Sequence, residues 1–257
     1  MTKSLTVAGV NLSIEEHGTG RPLLFLEAGE GVAPNRDWLD PLAKKFRVIL
    51  PTHPGWGRDP LPDWMGSIDD LAYLYLDLAK TLGLNGAILA GAGFGGWIAA
   101  EMAVRDTRRF ARLVLAAPLG IKCGGVLDRD ILDMHGVDPE TVLASSWADP
   151  RRGEIDFTKR PDDELMAIAR GRESLLVFGW KPYMHNPRLR RWLHRIDIPT
   201  LLVWGAEDRV VTPAYGEGWR AAIPGARLEV IPQAGHYPHW EQPTRAAERI
   251  DAFANRP

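Results

Sequence analysis

With 257 residues, 45% of them apolar and 25% charged, the chain can bury one substantial core, as a single large α/β domain or as a domain carrying a small insertion. A net charge of -2 supplies no electrostatic drive toward nucleic acid or an acidic membrane surface, and no stretch approaches the ~18 consecutive apolar residues of a membrane span. Met1-Thr2-Lys3-Ser4-Leu5 has no apolar signal core and Cys123 is the only cysteine, a pattern that predicts a reducing, cytoplasmic setting.

In chain order, Leu5 to Val7 and Val10-Leu12-Ile14 read as two short strands turned at Ala8-Gly9, the second alternating as a half-exposed edge does. Pro22 to Leu26 is apolar throughout, which predicts a central parallel strand covered on both faces, and Phe46 to Leu50 follows as another, with a helix around Asp37 to Lys45 between them. Ser67-Ile68-Asp69-Asp70 has the spacing of a helix start, after which Leu71, Tyr75, Leu78 and Leu82 repeat at helical intervals until Gly83. Strands are expected at 87–90, 112–116, 200–204 and 228–231, helices at 94–105 and about 241–254. This β-α alternation predicts a doubly wound, mostly parallel sheet. Between Ile121 and Ile198 the strand pattern stops; helices are expected at about 129–134, 139–147, 162–178 and 187–195.

The junction Gly91-Ala92-Gly93-Phe94-Gly95-Gly96 joins an apolar strand to a helix of small residues. It resembles the nucleophile elbow of α/β-hydrolases, in which Gly-x-Ser-x-Gly holds the nucleophile above the sheet. Laid residue on residue, the nucleophile falls on Gly93, which has no side chain. Gly205-Ala206-Glu207-Asp208 similarly resembles the turn carrying the triad acid, and Gln233-Ala234-Gly235-His236-Tyr237 the turn carrying the triad histidine, in the chain order of that fold. The resemblance implies an α/β-hydrolase core at 1–121 and 196–257 with a helical lid at 122–195. It also implies a His236–Asp208 dyad in which Asp208 fixes the imidazole tautomer and leaves the other ring nitrogen free as a general base.

Where family members commonly carry His-Gly after the third strand, this chain has Glu27-Ala28-Gly29-Glu30-Gly31. The amides of Gly29 and Phe94 are the expected anion hole, since that role needs N–H groups and not particular side chains. A charged Glu27 beside it would oppose a developing oxyanion; Glu30 reads either as a pocket residue or as a solvated loop residue. Trp97, Trp180 and Tyr183 are expected in an apolar pocket together with Glu27 and Glu30. No cofactor or metal is implied, and the partner is a small molecule. The first reading is a hydrolase of a small apolar or aromatic carbonyl compound in which the dyad activates a water standing at the vacant place of the serine hydroxyl. The alternatives are a cofactor-free lyase or oxygenase of the same fold, a non-catalytic binding protein, and a serine hydrolase carrying a substitution at 93. In the first and last cases Gly93→Ser is expected to create a serine that a fluorophosphonate labels.

Overall fold

The computed structural model describes residues 2–125 and 127–256. Met1 and Pro257, at the ends of the expected core, and Val126, within the expected lid, lie outside the described residues. Eight strands form one sheet: β1 (Thr2–Val7), β2 (Val10–His17), β3 (Arg21–Leu26), β4 (Phe46–Pro51), β5 (Ala87–Ala92), β6 (Phe110–Ala116), β7 (Thr200–Gly205) and β8 (Arg227–Ile231). Their order is β1-β2-β4-β3-β5-β6-β7-β8; β1 and β2 pair antiparallel, as do β2 and β4, and every other pair is parallel.

The continuous apolar run of β3 acts as its pattern predicts. Leu24 and Leu26 enter the core on one face of the sheet, Leu23 and Phe25 the core on the other, all at most 2% exposed. Each such side chain contributes on the order of 2 kcal/mol of burial. Helix α1 (Leu39–Ala43) is shorter than expected, because Pro41 and the bonds from Lys44 and Lys45 turn the chain toward β4. Helix α2 (Ile68–Thr81) begins at Ser67, whose hydroxyl accepts from the Asp70 amide while the Asp70 carboxylate accepts from the Ser67 amide. Such a cap is worth about 1 kcal/mol.

Helix α3 (Gly93–Arg105) runs beneath the sheet with Gly93 to Val104 all buried. Its one buried carboxylate, Glu101, is held by Arg105 at 2.6 Å and by the Asn186 side-chain amide at 2.8 Å. Between β6 and β7 lie α4 (Pro139–Ser146), α5 (Asp162–Gly179) and α6 (Leu189–Trp192), with three short 3-10 turns. The helix expected at 129–134 does not form. Asp130 instead turns back to accept from the amides of Cys123 and Gly124, and Asp133 caps the amides of His135 and Gly136, so side chains compete for the backbone donors a helix would use. Helix α7 (Pro213–Ala222) follows β7, and α8 (Pro238–Glu241) and α9 (Pro243–Ala254) follow β8, the C-terminal helix breaking at Gln242-Pro243.

Candidate active site

The elbow sits where β5 meets α3. Gly93 has φ +47°, in the left-handed region that disfavours a side chain, and its amide neighbour Phe94 is the first N–H of the helix to face the loop after β3. That loop is tied down at close intervals. His53 Nε2–H donates to the Glu27 carbonyl at 3.0 Å, Trp56 Nε1–H donates to the Gly29 carbonyl at 3.1 Å, and Gly31 lies so close to Tyr237 that an added β-carbon would stand 2.5 Å from the hydroxyl.

Between these points the Glu30 side chain turns inward and is fully buried. Its Oε2 accepts from the Phe94 amide at 2.9 Å, and its Oε1 lies 3.1 Å from His236 Nε2. A β-carbon built on Gly93 would overlap that same Oε1. The space over Gly93 therefore holds a carboxylate oxygen, where the sequence suggests a water, and the solvated placement of Glu30 does not occur. The Phe94 amide, expected to be open to substrate, is engaged by Glu30. Gly29 is among the residues that line the cavity.

On its far side His236 Nδ1 meets Asp208 Oδ2 at 3.0 Å, while Asp208 Oδ1 accepts from the amides of Val210 and Val211 at 2.9 and 3.0 Å. The histidine backbone is fixed as well: its amide donates to the Ser146 carbonyl at 2.7 Å, and Glu241 accepts from the Gly235 and Ala148 amides. Burial opposes a charge on His236, but the Asp208 charge and hydrogen bond, followed by those of Glu30, outweigh it and push the ring up to about 10. At neutral pH His236 is thus an imidazolium donating from both nitrogens, Nδ1–H to Asp208 and Nε2–H to Glu30. The free, basic Nε2 expected from the sequence is replaced by a proton donor.

Beside Glu30, with Gly93, Phe94, Asp208 and His236 outside its lining, lies a cavity of about 1160 Å³, framed by the loop after β3, by Trp56, by Trp147 at the end of α4, and by Tyr237 and Trp240. Glu27 borders it but turns its carboxylate to Arg36 at 2.9 Å, away from the Phe94 amide; Arg36 also bridges to Glu15 at 2.8 Å. Three expected pocket residues lie elsewhere. Trp97 is buried under the elbow with its indole N–H on Glu101, Trp180 is 59% exposed at the end of α5, and the Tyr183 hydroxyl accepts from the Met134 amide. None of the three lines the cavity, which the sequence could not show. Trp147, missed as a wall residue, has a sequence signal in its place at the exit of a helix inserted between strands. Cys123 is half-buried and its thiol is pushed up by burial, the opposite of an activated nucleophile.

The sequence model of the alpha/beta hydrolase family matches residues 17–249. The chain belongs to this family. Among curated proteins it is similar to the 2-hydroxy-6-oxononadienedioate/2-hydroxy-6-oxononatrienedioate hydrolase of Burkholderia vietnamiensis, 28% identical over 93% of this chain and 89% of the relative. It is also similar to the 2-hydroxymuconate semialdehyde hydrolase of a Pseudomonas species, 26% identical over 98% and 93%. Among solved structures, a meta-cleavage product hydrolase superposes with a TM-score of 0.77 at 23% identity, covering 98% of this chain and 97% of the other. A bromoperoxidase from Bacillus anthracis superposes with a TM-score of 0.77 at 20% identity over the whole of both chains. These likenesses establish an alpha/beta hydrolase fold.

Proposed function

We propose that this alpha/beta hydrolase family member hydrolyses a small apolar or aromatic carbonyl compound, an ester, lactone, amide or C–C bonded ketone, without a serine nucleophile. The observation that carries this reading is the buried run Asp208–His236–Glu30, in which a charged histidine meets an oxygen at the place where the family's nucleophilic oxygen belongs. His236, oriented by Asp208, gives its Nε2 proton to the leaving group as an oxygen nucleophile adds to the carbonyl carbon and the bond to that group breaks; once neutral, it takes a proton from the water that completes hydrolysis. Residues 122–195 serve as the lid over the cavity, Gly29 and Phe94 as amide donors to developing negative charge, and Trp56, Trp147 and Tyr237 as the apolar wall that selects the substrate. The protein works in the cytoplasm. The curated relatives, hydrolases by name, support hydrolysis over the other reactions of the fold.

One observation favours a second reading. With the Phe94 amide held by Glu30, the resting site offers a substrate carbonyl fewer donors than acyl transfer uses, which suits a cofactor-free lyase or oxygenase that only moves a proton. Turnover of a panel of aryl esters, lactones, amides and vinylogous 1,5-diketones separates the two. Hydrolysis of any of them, lost in His236→Ala, is expected; consumption of none, with tight binding of one, would make the protein a receptor.

A further inference from the structure

Glu30 comes from the loop after β3, 64 residues before Phe94 in the chain, yet its carboxylate makes the histidine contact that a nucleophilic oxygen at position 93 would make and also occupies the Phe94 amide. Oε1 overlaps the site of a β-carbon on Gly93 and receives the His236 Nε2–H; Oε2 is seated on the Phe94 amide. The side chain is sealed from solvent, so it carries no hydration shell to shed. A serine beside histidine must lose its proton while it attacks; here the histidine already meets a carboxylate oxygen, which has no hydroxyl hydrogen-bond chain to rearrange.

Resting on the hydrolase reading above, we infer that Glu30 is the covalent nucleophile of this enzyme, relocated from the elbow to the loop after β3. Oε1 attacks the substrate acyl carbon, the bond from that carbon to the leaving group breaks, and the His236 Nε2 proton passes to the departing oxygen or sulfur. The product is a mixed anhydride on Glu30. Its formation removes the negative charge of Glu30, and His236, now neutral, faces one anion in place of two and serves as base. It takes a proton from water as the water oxygen adds to Glu30 Cδ, and the charge that develops on Oε2 is received by the Phe94 amide already bonded to it. The Cδ–Oε1 bond then breaks. Oε1 leaves in the product carboxylate, Glu30 keeps the oxygen of the water, and the second water proton departs with the product, restoring the Glu30 carboxylate and the His236 imidazolium.

The seat of Oε2 decides the second step: the amide stands ready for a tetrahedral centre at Cδ, on the enzyme's own carboxyl group. The chemistry also bounds the substrate. A carboxylate is a weaker nucleophile than an alkoxide and an anhydride lies above an alkyl ester, so the acyl donor must carry a good leaving group: an aryl or enol ester, an enol lactone or a thioester.

The test is a single turnover of p-nitrophenyl acetate by excess enzyme in ¹⁸O-water, followed by proteolysis and mass spectrometry of the peptide containing Glu30. The expected result is a gain of one ¹⁸O on Glu30 and an unlabelled acetate. Turnover with the label in acetate, none on Glu30 and no acetyl–Glu30 peptide trapped by acid quench would overturn the inference and leave the hydrolase reading intact. Absence of turnover counts against the hydrolase reading, and nucleophilicity is then read by alkylation with 1,2-epoxy-3-(4-nitrophenoxy)propane. Stoichiometric modification of Glu30, abolished in Glu30→Gln, sustains the inference, and an unmodified Glu30 ends it. Glu30→Gln keeps the shape of the side chain and should slow p-nitrophenyl acetate turnover by about 10³-fold or more, the scale on which triad members act. Faster turnover in that variant would show Glu30 to be a plug in the hole and not the nucleophile.

Discussion

Gly93 and Glu30 share one volume: a β-carbon at 93 would overlap Glu30 Oε1 and stand 2.6 Å from its Cδ. The overlap corrects the expectation that Gly93→Ser alone makes a working serine. The new hydroxymethyl would have to evict a carboxylate held by the Phe94 amide and His236, and would do so in a left-handed backbone that costs a non-glycine residue of order 1–3 kcal/mol. Gly93→Ser is therefore expected to melt lower and to remain unlabelled by a fluorophosphonate, whereas Gly93→Ser with Glu30→Ala should label. Labelling of the single variant at the introduced serine, at the rate of the double, would show that Glu30 yields freely.

The dyad acts as one unit in the proposed chemistry. His236→Ala should lower turnover of an aryl ester by about 10²-fold or more while changing ligand affinity only a few-fold. Asp208→Asn should do the same, because it leaves the ring without its anionic partner, and the double variant should be little worse than either. Steady-state kinetics on the three proteins checks this; additive losses would mean that the two residues act separately.

A pH dependence follows from the charge on His236. Its folded value, about 10, lies above the unfolded 6.5, so the stability it contributes is fully present below about pH 6.5 and is lost as pH rises through about 10. Urea midpoints should fall across that window, and the fall should be shallower in His236→Gln. A ring nitrogen spectrum showing a neutral His236 at pH 8 would contradict the assignment.

On the acid side the relevant ring is His239. It is buried among Phe25, Trp38 and Trp240, and among the described residues neither of its nitrogens has a partner. Burial, and after it the charge of His236, pushes it down to about 3, so it folds neutral and costs stability as pH falls from about 6.5 toward 3, where only the unfolded chain gains the proton. His239→Phe removes two unsatisfied polar atoms from an aromatic cage. It should stabilise the protein by about 1 kcal/mol at pH 7 and by more at pH 5. A lower melting temperature at both pH values would show that the ring is held by bonds the packing does not reveal.

Much of this was legible in the sequence because short-range rules sufficed. The continuous apolar run at Leu23 to Leu26 can only be covered on two faces, Ser67 with Asp70 can only cap, and the glycines around position 93 admit few structures besides a sharp strand-to-helix turn. Asp208 and His236 were found because their turns occupy fixed places in the chain order. Glu30 could be read as a pocket residue but not as the partner of His236, since that contact spans 206 positions and nothing local distinguishes an inward from an outward loop carboxylate. Trp97, Trp180 and Tyr183 were misplaced for a related reason: composition says that aromatics are near a helix or turn, but only packing says which way each one faces. The expected helix at 129–134 failed because apolar spacing cannot foresee that Asp130 and Asp133 will claim the backbone amides around them.

The crowding of residues 30 and 93 also orders the mutational route by which such a site can arise. A chain with serine at the elbow has no room for an inward carboxylate from the β3 loop, and a chain with that carboxylate in place regains the serine only by displacing it. The least crowded passage toward this site runs through a form in which both positions are small, with the elbow emptied before the loop residue arrives. Glutamate at 30 and glycine at 93 should therefore be inherited as a pair, and a search for enzymes of this kind should look for the two together, on loops that no single elbow motif spans.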